Sequence, residues 1–419
     1  MTSRLPGWVE RMLPPSPLAR RLSFQSVLFA FGEGTFLTGS AVFFTQIVGL
    51  SAAQVGLGIT IAGLTSFFFA VPLGKFADRI GPKQAWALAA LGEALLYLVW
   101  PWIGGFAAFV GTLVLLEIVG GLGHAGRQAY TLDVFTREER VRSMAFMRSA
   151  LNIGFTVGAL FGGLALALDS DAVIRAVPVL TAVILGLNGF LISRLPDAQH
   201  AEVEVAAPAE EAMKTGALRN KGFLAMSFFD GVLGTNQVLL NVVIPLWLVE
   251  ETDAPRVLLA WLFATNTVLA VLLQVAAARG ADTVPGALRA SRISSLFFVA
   301  SCLIVLVTHD TVGWITIVLV WVGHVTVTGA ELFQSAGAWG LQAELSDPQK
   351  RGEYAGASSL GYTAGSVWAP ALYTYLAMEW GTPGWLVIAG IVVLATVGIH
   401  PSAHAAGRYL SRESTAAPA

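Results

Sequence analysis

Twelve apolar runs, each near the roughly 20 residues that a helix needs to cross a hydrocarbon core, alternate with polar segments along the 419-residue chain. They lie near 22–49, 52–73, 84–104, 106–128, 145–168, 172–193, 222–249, 256–277, 291–308, 312–338, 354–378 and 382–400. The pattern predicts an all-α integral membrane protein with twelve transmembrane helices. The longest polar stretch, 195–220, carries Glu202, Glu204, Glu210 and Glu211 among alanines and reads as a flexible link. It separates two six-helix bundles, 22–194 and 221–400, flanked by tails at 1–21 and 401–419.

Charge sets the orientation. Only 12% of residues are charged, half of what a soluble domain carries, and the net charge of −2 hides an asymmetry. With the N-terminus inside, all but Arg175 and Arg256 of the 25 Lys and Arg fall on the cytoplasmic side, as the positive-inside rule requires. The expected location is a cell inner (plasma) membrane, with both termini cytoplasmic. The first 21 residues hold four prolines and no apolar core, unlike a cleavable signal peptide. Cys302 is the sole cysteine, so neither a disulfide framework nor a thiolate metal site is expected.

The halves echo one another. Glu33-Gly34 in the first span is matched by Asp230-Gly231 in the seventh, and the stretch Asp133 to Arg140 by Glu344 to Arg351. These echoes support two pseudo-symmetric six-helix repeats, an arrangement common among transporters. Between the second and third spans stands Gly74-Lys75-Phe76-Ala77-Asp78-Arg79-Ile80-Gly81-Pro82-Lys83, read as a charged tight turn. It resembles the loop signature of the major facilitator superfamily, with Phe76 where that family usually has Leu and Pro82 where it has Arg. The resemblance implies that Gly74, Asp78, Arg79, Gly81 and Lys83 serve conformational change. It also implies that Asp78 caps the eleventh span near Glu353 to Ala355 and locks the halves on the inner side. Gly154, Gly158, Gly162 and Gly163 on the fifth span resemble the glycine-rich signature of drug:proton antiporters, although Ala145 and Ala159 replace its first Gly and its Pro. On the fourth span, Glu117 stands where those antiporters usually carry Arg.

Ionisable side chains at mid-membrane are costly and mark function by default. Glu33, Glu117, Asp230, Glu331 and His324 qualify, all on spans 1, 4, 7 and 10, which the resemblance implies line a central cavity. Glu93 is the exception, on a third span that the resemblance turns toward lipid, and its role stays open. Helical spacing adds Phe29 and Phe36 to the face of Glu33, Gln237 and Asn241 to that of Asp230, and Trp321 and Thr328 to that of Glu331. For the Ser, Thr and Asn positions, interhelical hydrogen bonding explains the stripes equally. Low dielectric disfavours the charged form of an unpaired carboxylate, so these acids suit proton loading and, once deprotonated, attraction of a cation. His324 either shares that proton or is a neutral core histidine. Arg127, about three turns beyond Glu117, reads as too near the surface to substitute directly for the arginine of those antiporters.

The expected function is secondary active transport by alternating access, as proton-coupled efflux of small amphipathic or cationic compounds. A symporter importing a metabolite, or a polytopic enzyme acting on lipid-linked substrates, are the rivals. No phosphate-cradling G-x-x-x-x-G-K-S/T run and no D-x-x-x-D cluster is present, so no enzyme, catalytic residue, cofactor or metal is expected. The expected partners are a small-molecule substrate, protons and the bilayer, with no nucleic acid and a monomeric state.

Overall fold

The computed structural model describes residues 13–168, 170–197 and 216–416. Most of the acidic link, with Glu202, Glu204, Glu210 and Glu211, lies outside the described residues. The chain divides into two compact units. One comprises Met1–Ala207 with Pro348–Gly356, the other Pro208–Asp347 with Ala357–Ala419.

The first unit is built from α1 (Pro17–Ile47), α2 (Ala52–Ile80), α3 (Pro82–Trp102), α4 (Phe106–Val134), α5 (Arg137–Ala167) and α6 (Asp171–Ser193). Their starts are written locally. Ser16 accepts the Ala19 N–H with Pro17 in the first turn of α1, and Ser51 and Gln54 form a reciprocal capping box on α2. Within the unit α1 packs on α5 and α6, α2 on α4, and α3 on α4 and α6. The charged stretch between spans two and three is not a turn. α2 stays helical to Ile80, α3 resumes at Pro82, and only Gly81, at φ 93°, breaks the ladder. A β-carbon disfavours that φ, whereas glycine adopts it freely. Charged side chains at a helix end extend into water without interrupting backbone hydrogen bonds, so the helix outruns its apolar window.

The second unit is built from α7 (Lys221–Glu250), α8 (Leu258–Ala277), α9 (Val284–Asp310), α10 (Trp314–Leu345), α11 (Arg351–Trp380) and α12 (Thr382–Ala416), with the first turns of α11 counted in the first unit. Here α7 packs on α12, α9 on α10 and α12, and α8 on α10. Among the described residues eleven helices are long and apolar enough to cross a membrane. The twelfth, α11, has the length at 30 residues, but its sequence is too polar.

Two features recur in both units. α1 widens into a π turn at Phe43–Ile47, and α7 does so at Leu239–Val243. Each follows its acid, Glu33 or Asp230, by a similar interval. Such π turns mark functional segments more often than chance. The second feature is close helix packing through small residues. β-carbons at Gly154, Gly158 and Gly162 of α5 would run into the Val27, Phe31 and Thr35 carbonyls of α1. One at Gly361 of α11 would run into the Ser227 carbonyl of α7. Gly163, expected to belong with the α5 set, faces open space.

Candidate functional site

In the first unit the acids converge. Glu33 of α1 accepts a hydrogen bond from the Tyr97 hydroxyl of α3 at 3.2 Å. Glu93, one turn before Tyr97, is close enough to Glu33 and Glu117 to feel the charge of both. Glu117 of α4 lies beside the Ser66 hydroxyl of α2. Three helices therefore bring three carboxylates and one phenol together, with a hydroxyl from a fourth, and none of the three acids forms an ion pair among the described residues. Glu93 had no assigned role from sequence because a whole helix was assigned to lipid. Its signal was nonetheless present: Trp86, Ala90, Glu93 and Tyr97 recur at helical spacing along one face of α3.

Phe36 was expected on the cavity face and is instead 7% exposed within an aromatic cluster. Its ring meets Tyr97 edge-on at 5.3 Å and stacks near Trp100 at 6.1 Å. Edge-to-face contacts of this kind fix ring position, so Phe36 sets the direction of the Tyr97 hydroxyl. Phe29 does line a cavity of about 240 Å³ within this unit, beside Glu93, Trp86, Gln25, Ser26, Gly120, Gly123, His124, Arg127, Asn188 and Ala90. Arg127 of α4 lines this cavity too. Its guanidinium donates to Ser26 at 3.0 Å and lies 6.0 Å from the Trp86 ring centre on the wall that also carries Glu93.

In the second unit the polar groups form two neighbouring strings. Asp230 of α7 accepts from the Gln334 amide of α10 at 3.1 Å. One turn earlier on α10, Glu331 is 6% exposed and accepts from Asn266 of α8 at 3.0 Å. Asn266 also reaches the Thr328 hydroxyl at 3.2 Å, and Thr328 donates to the His324 carbonyl. Gln334 and Asn266, which position these acids, were not singled out from sequence. His324 is buried near the Leu262 main chain and edge-on to Phe263 at 6.4 Å. Trp321 donates to Thr265 at 3.1 Å and is partly exposed. Asn241 sits in the π turn and donates to the Gln237 carbonyl, while Gln237 donates to Asn236. Neither is brought to Asp230.

The charged segment after α2 meets the start of α11. The Asp78 carboxylate accepts the Gly352 and Glu353 N–H groups at 2.7 and 2.8 Å. These are the first free donors of α11, where a negative charge favours the helix dipole. A β-carbon at Gly74 would collide with the Gly352 carbonyl, so glycine is what allows this approach. Lys75 lies 3.6 Å from Glu353, and Arg351 pairs with Asp133. Lys83 bonds Asp197 at 2.8 Å, and Arg79 is exposed.

Among the described residues the chain is helical, with acids carried inside both units, an arrangement that suits a membrane transporter. Residues 22–338 match the model of the Major Facilitator Superfamily, and the chain belongs to that family. It is 25% identical over 401 residues to a Na(+), Li(+), K(+)/H(+) antiporter of Planococcus maritimus, covering 87% of each chain. It is 24% identical over 336 residues to multidrug resistance protein MdtH of Shigella boydii, covering 77% of each. In fold it resembles a bacterial homologue of the iron transporter ferroportin, solved in an outward-facing state. That likeness has a TM-score of 0.69 and 17% identity, over 92% of this chain and 99% of the other.

Proposed function

We propose that this transporter couples inward proton flow to the export of small amphipathic or cationic compounds across a cell inner membrane. The observation that carries this reading is the company the acids keep. Glu33 and Asp230 are held by a phenol and an amide, and Glu117 lies beside a hydroxyl. With no ion pair to fix their charge, these carboxylates are free to take up a proton or to attract a cation, and coupling the two movements in opposite directions is antiport. One relative named a cation/H(+) antiporter and another named a multidrug resistance protein support the same direction. The Lys and Arg distribution supports cytoplasmic termini, and a monomer suffices because both repeats lie on one chain. Asp78 on the first turn of α11 serves as a conformational latch, with Gly74 allowing its approach.

The test is proton flux in proteoliposomes across a panel of organic cations, matched neutral compounds, Na⁺ and K⁺. Addition of an organic cation should release protons, and a reversed pH gradient should reverse the movement. Cation uptake accompanied by proton uptake would establish symport and overturn the reading. The Planococcus relative favours a second reading, exchange of inorganic monovalent cations, in which only the Na⁺ and K⁺ arms respond.

A further inference from the structure

We propose that the cavity inside the first unit is a binding site for a small zwitterion, its anionic end on Arg127 and its cationic end on Glu93. Both charges line the same space of about 240 Å³, yet no ion pair joins them. Arg127 has a neutral hydroxyl, Ser26, as its hydrogen-bond partner. Among the described residues Glu93 accepts no side-chain hydrogen bond, and neither group forms an ion pair. Removing a guanidinium and a carboxylate from water is expensive unless each meets its complement. Collapse of the pair onto each other would relieve that expense, and the fold holds them apart instead. A ligand with both charges completes the two at once.

The walls carry the same message. Gln25 is 3% exposed with neither its amide nitrogen nor its amide oxygen hydrogen-bonded, and Asn188 is 1% exposed with its amide oxygen unpartnered. Both line this cavity. Buried amides without partners are rare, because each forgoes the hydrogen bond it had in water. Here they supply donors and acceptors to the polar part of a ligand. Trp86 and Phe29 supply aromatic faces for an apolar substituent and for the cationic group. Pockets for small molecules have this composition, mostly apolar with a few converging polar groups.

Binding is measured on the purified full chain by titration calorimetry in phosphatidylglycerol nanodiscs, where no zwitterionic headgroup competes. The probes are two matched sets: phenylalanine, phenethylamine and 3-phenylpropanoate, then leucine, 3-methylbutylamine and 4-methylpentanoate. Within at least one set the zwitterion should bind about 10- to 100-fold more tightly than either single-charge analogue, as expected for one added charged hydrogen bond. Arg127→Gln should bring the zwitterion to the level of the amine, and Glu93→Gln to the level of the carboxylate. A zwitterion that binds no better than its analogues in both sets overturns the proposal using the unsubstituted protein alone. So does a well-folded Arg127→Gln variant that keeps full preference for the zwitterion. Binding is read without a pH gradient, so failure here is distinct from failure of the proton-coupling experiment.

Discussion

At the scale of single residues, Glu33 is the candidate contact for a transported cation on α1, distinct from Glu93 in the cavity of the same unit. Its carboxylate takes one hydrogen bond from Tyr97 and retains further lone pairs for a ligand. Glu33→Gln keeps an oxygen that can accept from Tyr97 and removes the charge. Transport of cationic compounds should fall at least about tenfold, the equivalent of about 1.4 kcal/mol, while matched neutral compounds are spared. Initial rates for both classes in proteoliposomes check this, and equal losses would show a structural acid. The acids themselves were legible in the sequence because a charge inside a long apolar run stands out. Their surroundings were not. Tyr97, Gln334 and Asn266 lie on other helices, 64, 104 and 65 residues from Glu33, Asp230 and Glu331, and helical periodicity carries no information across helices. That Arg127 and Glu93 line one cavity was hidden for the same reason, since they stand on different helices.

At the scale of elements, apolar runs revealed the helices and concealed their ends. α2, α5, α9 and α10 all extend past their apolar windows into charged sequence, because helix geometry tolerates polar side chains once the backbone has left the hydrocarbon. The glycine series of α5 was legible as a packing stripe, and the structure separates its members. Gly158→Leu drives a side chain into the Phe31 carbonyl and should destabilise by about 1–3 kcal/mol or more. Gly163→Leu meets open space and should be tolerated. Thermal unfolding followed by fluorescence-detected size exclusion distinguishes them, and equal midpoints would refute close α1–α5 packing as the role of Gly158. A second element-level consequence concerns the start of α11. Asp78→Asn weakens the carboxylate cap on Gly352 and Glu353, an effect of up to about 2 kcal/mol in a partly buried setting. Hydrogen–deuterium exchange at those two amides should accelerate several-fold while exchange in the middle of α2 stays unchanged. Unaltered exchange at Gly352 would show that the cap contributes nothing.

At the scale of the whole molecule, each repeat carries acids supported by neutral groups, but with different chemistry. The first unit gathers Glu33, Glu93 and Glu117 around Tyr97, whereas the second holds Asp230 and Glu331 each on an amide donor. This difference suits a division of labour, with the first unit contacting substrate and the second exchanging protons. The paired substitution Asp230→Asn with Glu331→Gln tests it with little disturbance to packing. Each new amide is close in shape to the acid it replaces, and its oxygen can still accept from Gln334 or Asn266. What disappears is the capacity to take up and release a proton. The double variant should therefore lose accumulation of substrate driven by a pH gradient while keeping substrate exchange between equal pH compartments. Both are read in the same proteoliposome preparation, with the exchange rate serving as the measure of correctly inserted protein. If the variant still concentrates substrate against its gradient, proton coupling does not run through the second unit. If exchange and accumulation fail together at normal protein yield, Asp230 and Glu331 belong to substrate binding, and the proposed division between the units is wrong.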